Sequence, residues 1–159
     1  MNKVPQFILA VMILTLLGGC SSEATPTPTS SDMPSNQPTD ANVPALHKTW
    51  GWEKRVNPST GAEEQIDDPT KYTLTLKADG SYQFQADCNQ GSGSYVADRT
   101  GAIRLQAGPV TLAECGSGSR YQDVINMMQA VQDYRLEENG AVLVMVWPAG
   151  GPEDRYRAQ

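Results

Sequence analysis

The chain has 159 residues, with 12 Lys and Arg against 18 Asp and Glu, a net charge of −6, one histidine and three cysteines. An acidic surface without basic runs excludes a nucleic-acid binder and leaves no electrostatic route onto anionic lipid. The few Cys and His side chains make a zinc site unexpected, and no metal or cofactor is expected.

Lys3 and the amino terminus precede residues 7–17, which are apolar except for Thr15. That run is too short to span a bilayer and reads as a secretory signal over residues 1–19. Leu17-Gly18-Gly19-Cys20 closes it. The small residues followed by cysteine resemble the lipobox of bacterial lipoproteins. The resemblance implies cleavage before Cys20, acylation of its thiol and a lipid bilayer as first partner. Cleavage removes Lys3 alone among the charged side chains, so the remaining chain carries 11 cations against 18 anions, or −7. Two or three acyl chains, at about 0.8 kcal/mol per buried methylene, anchor a protein far better than one. Ser21, rather than Asp, follows Cys20. In a two-membrane host this resembles cargo sent to the outer membrane, facing the periplasm; the expected location is the cell envelope. Residues 20–43 hold Pro26, Pro28, Pro34 and Pro38 among Ser, Thr and Asn, the composition of an extended tether.

Residues 44–159 form the expected globular domain, large enough for one core. Its pattern is mainly strands. The run from Thr49 to Lys54 alternates and puts Trp50 and Trp52 on one face. Residues 57–70 read as a polar loop with Pro58, Gly61 and Pro69. Tyr72, Leu74 and Leu76 share one strand face; Ala78-Asp79-Gly80 turns the chain; Tyr82, Phe84 and Ala86 alternate on the return. Short strands follow around Tyr95 and Ile103, and Val110 and Leu112 continue the ladder. Tyr121, Val124, Ile125, Met128 and Val131 recur with helical period, and Ser119 with Gln122 fits a capping box. Tyr134-Arg135-Leu136, a turn at Asn139-Gly140, and residues 141–147 form a hairpin, with Arg155-Tyr156-Arg157 as a last edge strand. Tight turns dictate antiparallel pairing. The expected class is α+β, mainly β: a strongly curved antiparallel sheet or partial barrel with one amphipathic helix.

With Cys20 acylated, Cys88 and Cys115 remain, and even parity in an exported chain favours one disulfide. By chain entropy such a bridge, closing a loop of about 27 residues, contributes roughly 3–4 kcal/mol. A redox pair is disfavoured because the spacing is not Cys-x-x-Cys. His47 lacks a catalytic companion. Glu63, Glu64, Asp67 and Asp68 cluster in one loop, where two carboxylates rarely oppose each other across a cleft. Gln90-Gly91-Ser92-Gly93-Ser94 reads as a turn or bulge that Asn89 caps. Trp50 and Trp52 face either the core or a partner; with Asn89 they are the candidate partner surface. No catalytic residue is identified.

Asp79-Gly80, Ala86-Asp87-Cys88-Asn89 and Gly93-Ser94-Tyr95, with Thr111 to Cys115 and the leading Trp strand, resemble META domains, also called the HslJ-like family. Two features depart from that family's pattern: Gly116 where many members carry Pro, and the Val144 to Gly151 end. The resemblance implies a small envelope or secreted domain without established chemistry. The expected function is therefore a non-catalytic envelope lipoprotein, a binding or stress-tolerance module contacting an envelope protein or glycan. The alternative is a periplasmic lysozyme-inhibitor-like effector or small hydrolase.

Overall fold

The computed structural model describes residues 43–159. The expected signal, Cys20 and the tether up to residue 42 lie outside the described residues. Nine strands and one helix follow in order: β1 (Thr49–Val56), β2 (Glu63–Gln65), β3 (Tyr72–Leu76), β4 (Ser81–Ala86), β5 (Asn89–Ala97), β6 (Ile103–Val110), α1 (Tyr121–Ala130), β7 (Asp133–Glu137), β8 (Val142–Val146) and β9 (Glu153–Ala158). The sheet order is β6-β5-β4-β3-β1-β9-β8-β7, with β2 beside β1, and every pairing is antiparallel. The sheet curls into a half-barrel. Its two edge strands approach at one end, where Ala102 bridges Asp133 and the Ile103 N–H donates to Gln132 O. The expected class, α+β and mainly β with one helix, is the observed one.

The hairpins form where turn chemistry demands them. Between β3 and β4, Asp79 accepts the Ser81 N–H at 2.9 Å while Gly80 takes φ 77°. Between β7 and β8, Asn139 and Gly140 both sit at positive φ. Several expectations need correction. Residues 57–70 are not all loop: β2 pairs with β1 there, and Lys54 meets Glu63 at 2.7 Å. Of the two readings of the Gly-rich run, turn or bulge, the bulge holds: the run is the body of β5, bulged against β6 between Gly91 and Gly93. Leu112 does not extend the ladder, because β6 ends at Val110. The last strand is not an edge: β9 lies between β1 and β8. The helix has no capping box. Arg120 occupies the N-cap without a side-chain bond, Ser119 Oγ accepts the Tyr121 N–H, and Gln122 donates to Asn126.

The core fills the concave side. Val124, Met127 and Met128 are the buried face of α1. Trp50 and Trp52 are 0% and 1% exposed. Trp50 Nε1 donates to Leu46 O at 2.9 Å, and Trp52 stacks on Tyr156 with centroids 6.3 Å apart. Glycine matters at Gly91 and Gly93, whose missing side chains leave room for the rings of Phe84 and Tyr82. A Cβ on Gly93 would sit 2.1 Å from Gln106 O and 2.7 Å from the Tyr82 ring. Gly93→Ala is therefore expected to lower stability by about 1–3 kcal/mol. Gly116→Ala, where nothing lies within 4 Å, should stay within about 0.5 kcal/mol. Urea midpoints of the two variants check this; equal midpoints would refute the close-approach role of Gly93.

Candidate functional site

The β4–β5 hairpin closes through Asp87 and Cys88, with Asp87 at φ 57° and its N–H given to Lys71 O. This turn places Asn89 at the start of β5 with its side chain inward, 1% exposed. Its amide does not cap the local turn as expected. Asn89 Nδ2 donates to Ala113 O at 2.9 Å, and Oδ1 accepts from the Ala113 N–H at 2.7 Å and from Thr111 Oγ1 at 3.1 Å. The Thr111 hydroxyl in turn accepts the Gln90 N–H at 2.9 Å. Two residues further on, Cys115 is bonded to Cys88 as expected, with Cα atoms 5.6 Å apart. One buried amide and one covalent bond thus fasten the segment leaving β6 to the start of β5.

What they hold is a ribbon. Residues 106–114 are exposed without interruption. Residues 105–113 carry no charge in a chain of net −6. Leu112 is 80% exposed, the most of any large apolar side chain among the described residues; only Val96 and Val110 join it in that class. Leu112 thus stands exposed on an uncharged stretch that Asn89 and the disulfide tie to the start of β5.

A second cluster sits on the other flank. A bulge in β1 between Trp52 and Lys54 shifts the alternation, so that Arg55, not Lys54, joins the Trp52 face. Arg55 lies over the rings of Trp52 and Trp147, at 5.2 and 5.0 Å. It donates Nε and Nη2 to Asp154 at 2.8 and 3.1 Å, and Nη1 to Asp123 of α1 at 3.0 Å. Trp147 Nε1 supplies a third donor to Asp154 at 2.8 Å. Asp154 is 0% exposed. Burial pushes its carboxyl above the usual range, and the Arg55 and Trp147 donors pull it back. Arg120 extends the network to Asp123 and to Glu64. This is a structural lock, in which every one of these charges faces an opposite charge. Sequence reasoning missed it because the bulge leaves no signature in the residue alternation.

An open polar cleft of about 360 Å³ lies between Lys71, Tyr72, Asp87 and residues 116–120. Its charges, Asp67, Asp68 and Asp87 against Lys71 and Arg120, are mixed, with Lys71 and Asp87 3.8 Å apart.

The remaining sequence candidates separate. Trp50 and Trp52 belong to the core, so neither they nor buried Asn89 form a partner surface; hydrophobic burial took both rings inward. Glu63 and Glu64 serve different cations, and Asp68 caps the turn at Thr70. His47 is half-buried, its Nε2 without a hydrogen-bond partner. Among the described residues no three His, Cys, Asp or Glu converge as a metal-holding group.

Fold and fastened ribbon define a small half-barrel, mainly β, with a disulfide at one rim. The META domain family profile matches residues 45–158, and the chain belongs to that family. A search of curated proteins finds no match. Two solved structures share the fold. A DUF4847 family protein from Bacteroides vulgatus is 14% identical, with TM-score 0.55, over 72% of this chain and 94% of its own. A protein from Burkholderia xenovorans is 16% identical, with TM-score 0.55, over 84% and 99%.

Removing Arg55 strands a buried carboxylate, so Arg55→Leu is expected to cost about 3–5 kcal/mol near neutral pH. Asp154 has a folded pKa above its unfolded value near about 3.9, so its contribution grows more favourable as pH falls through that window. Loss of Arg55 raises the folded value further. The deficit of Arg55→Leu against the parent should therefore shrink between about pH 7 and about pH 4. Chemical denaturation across that range reads it, and a deficit independent of pH would contradict the assignment.

Proposed function

We propose that this META domain is a non-catalytic, lipid-tethered contact module of the cell envelope, and that it meets a partner protein through the ribbon of residues 106–114. The observation that carries the reading is Leu112, 80% exposed within the uncharged run 105–113 and fastened through Asn89 and Cys115. A pre-ordered loop loses little conformational entropy on binding, and Ala, Gly, Pro, Val and Leu side chains cost little to desolvate. An apolar groove on a protein suits such a ribbon. A glycan suits it less, because sugar recognition leans on exposed aromatic faces and Trp50 and Trp52 are buried. The anchor at Cys20, the export signal and the envelope location rest on the lipobox-like sequence. A lysozyme-inhibitor-like effector would use the same ribbon, since an inhibitor presents a rigid loop to a cleft; muramidase is then the partner.

Two measurements test this in the intact chain. A photoreactive phenylalanine at position 112 should give one dominant protein adduct in envelope preparations, whereas the same group at Gln83, exposed on β4, should give none. Adducts that are absent at 112, or equal at both positions, would falsify the contact surface. A muramidase in the adduct would identify the effector reading. Separately, Cys20→Ala is expected to move the protein to the soluble fraction without fatty-acid label. Retained label on that variant would remove the anchor.

A further inference from the structure

We propose that the Cys88–Cys115 disulfide is a redox gate for the end of the ribbon: oxidised, it holds residues 114–119 in place beside Leu112, and reduced, it releases them while the half-barrel stays folded. This deepens the contact reading and rests on it for its functional consequence, though not for the structural change.

The argument starts from what else holds residues 111–120. Thr111 and Ala113 are tied by Asn89 and Gln90. Arg120 is tied by its N–H to Tyr72 Oη at 3.0 Å. Between them, the Ser119 N–H bonds to Gly116 O and Ser119 Oγ accepts the Tyr121 N–H, both local contacts that attach the segment to nothing else. Gly116 and Gly118 have nothing within 4 Å of an added Cβ, and Gly118 sits at φ 91°. Among the described residues, what crosses from residues 114–119 to another segment is the covalent bond from Cys115 to Cys88, joined by a weak contact from Asn89 Nδ2 to the Cys115 sulfur at 3.3 Å. Loop-closure entropy then favours opening once that bond is gone.

Location decides that the opening is local. Neither cysteine belongs to the buried core cluster. Cys88 is exposed and Cys115 half-buried, so a thiol reagent reaches the bridge without prior unfolding of the sheet. The strands that carry the Trp50 and Trp52 rings pair independently of the bridge. Chemically, the S–S bond takes up two electrons and two protons and becomes two thiols. A dithiol reductant supplies both and closes its own disulfide. Released, residues 114–119 must be re-ordered on binding, which weakens the contact beside Leu112.

Cleavage by a Glu-specific protease tests the gate. Glu114 lies in the freed segment, and Glu63 and Glu64 on β2 serve as the internal reference. In the full chain, dithiothreitol should raise cutting after Glu114 by about tenfold or more relative to the reference sites. The near-ultraviolet circular dichroism of the buried tryptophans should persist. A Cys88→Ala, Cys115→Ala double variant should be cut fast with or without reductant. An unchanged ratio, or loss of the tryptophan signal together with the cut, would overturn the gate. None of these readouts involves a partner. An adduct at position 112 that fades on reduction supports gating of the contact, and one that persists unchanged in the reduced protein refutes it. A protein that loosens on reduction yet gives no adduct in either state keeps the gate and discards the contact reading.

Discussion

Asp154 sits in the wall of the half-barrel with no solvent contact, and its pairing with Arg55 is the constraint on which the rest of the arrangement turns. An unpaired carboxylate there would cost several kcal/mol, so the fold must deliver donors to it. They arrive from two segments: Arg55 on β1, 99 residues away, and Trp147 after β8, 7 residues away. To supply both, β9 must lie between β1 and β8, the placement that joins the C-terminal hairpin to the rest of the sheet. Arg55 also reaches Asp123, which indexes the helix to the same cation. A buried ion pair is weak evidence of net stabilisation. Here its value is in selecting one strand order over others that would leave a charge stranded.

The distribution of the remaining charges explains why one region is suited to contact. Across β7, β8 and β9 the outward side chains pair off: Arg135 with Glu137 and Glu153, Arg155 with Glu137, and Arg157 with Glu53 and Glu138. Each such pair near the surface contributes about 1 kcal/mol or less. Together they make that face expensive to desolvate, and a docking partner would have to replace every lost hydration shell. The opposite edge is the reverse. From Leu105 to Ala113 no charged group intervenes, and the fastening is done from below by a buried amide. Charge density and rigidity thus point to the same stretch of chain.

Much of this was legible in the amino-acid order, for identifiable reasons. The β3–β4 hairpin was legible because period-two alternation flanks Asp79-Gly80, and the helix because Val124 and Met128 repeat at its period. Parity alone pointed to the Cys88–Cys115 bridge. What stayed hidden depends on tertiary register. The β1 bulge exchanges Lys54 for Arg55 on the inner face, and nothing in Glu53-Lys54-Arg55 marks it. Local pattern showed that residues 155–157 form a strand, but not that β1 would flank it on the other side. Asn89 looked like a turn cap because Asn after a strand commonly is one. Its true partners, Thr111 and Ala113, lie more than 20 residues away, beyond the reach of turn rules. Leu112 was assigned to a ladder on hydrophobicity, yet the carbonyl and amide of its neighbour Ala113 were already committed to Asn89, which bends the chain off the sheet.

The bridge and the amide act on the ribbon by different means, and the difference matters for what the domain can do. The disulfide works largely through the unfolded chain, where closing a loop of about 27 residues removes roughly 3–4 kcal/mol of entropy wherever the bond lies in the fold. That contribution is blind to the ribbon's shape. Asn89 acts only in the folded state, through hydrogen bonds worth about 1 kcal/mol each, and its bonds to the backbone reach only as far as Ala113. In the segment beyond, Gly116 and Gly118 have open space around them, and among the described residues its backbone makes no hydrogen bond to the sheet. Its conformation is therefore set from its two ends, Cys115 on Cys88 and Arg120 on Tyr72, and of those two ties the covalent one is the stronger.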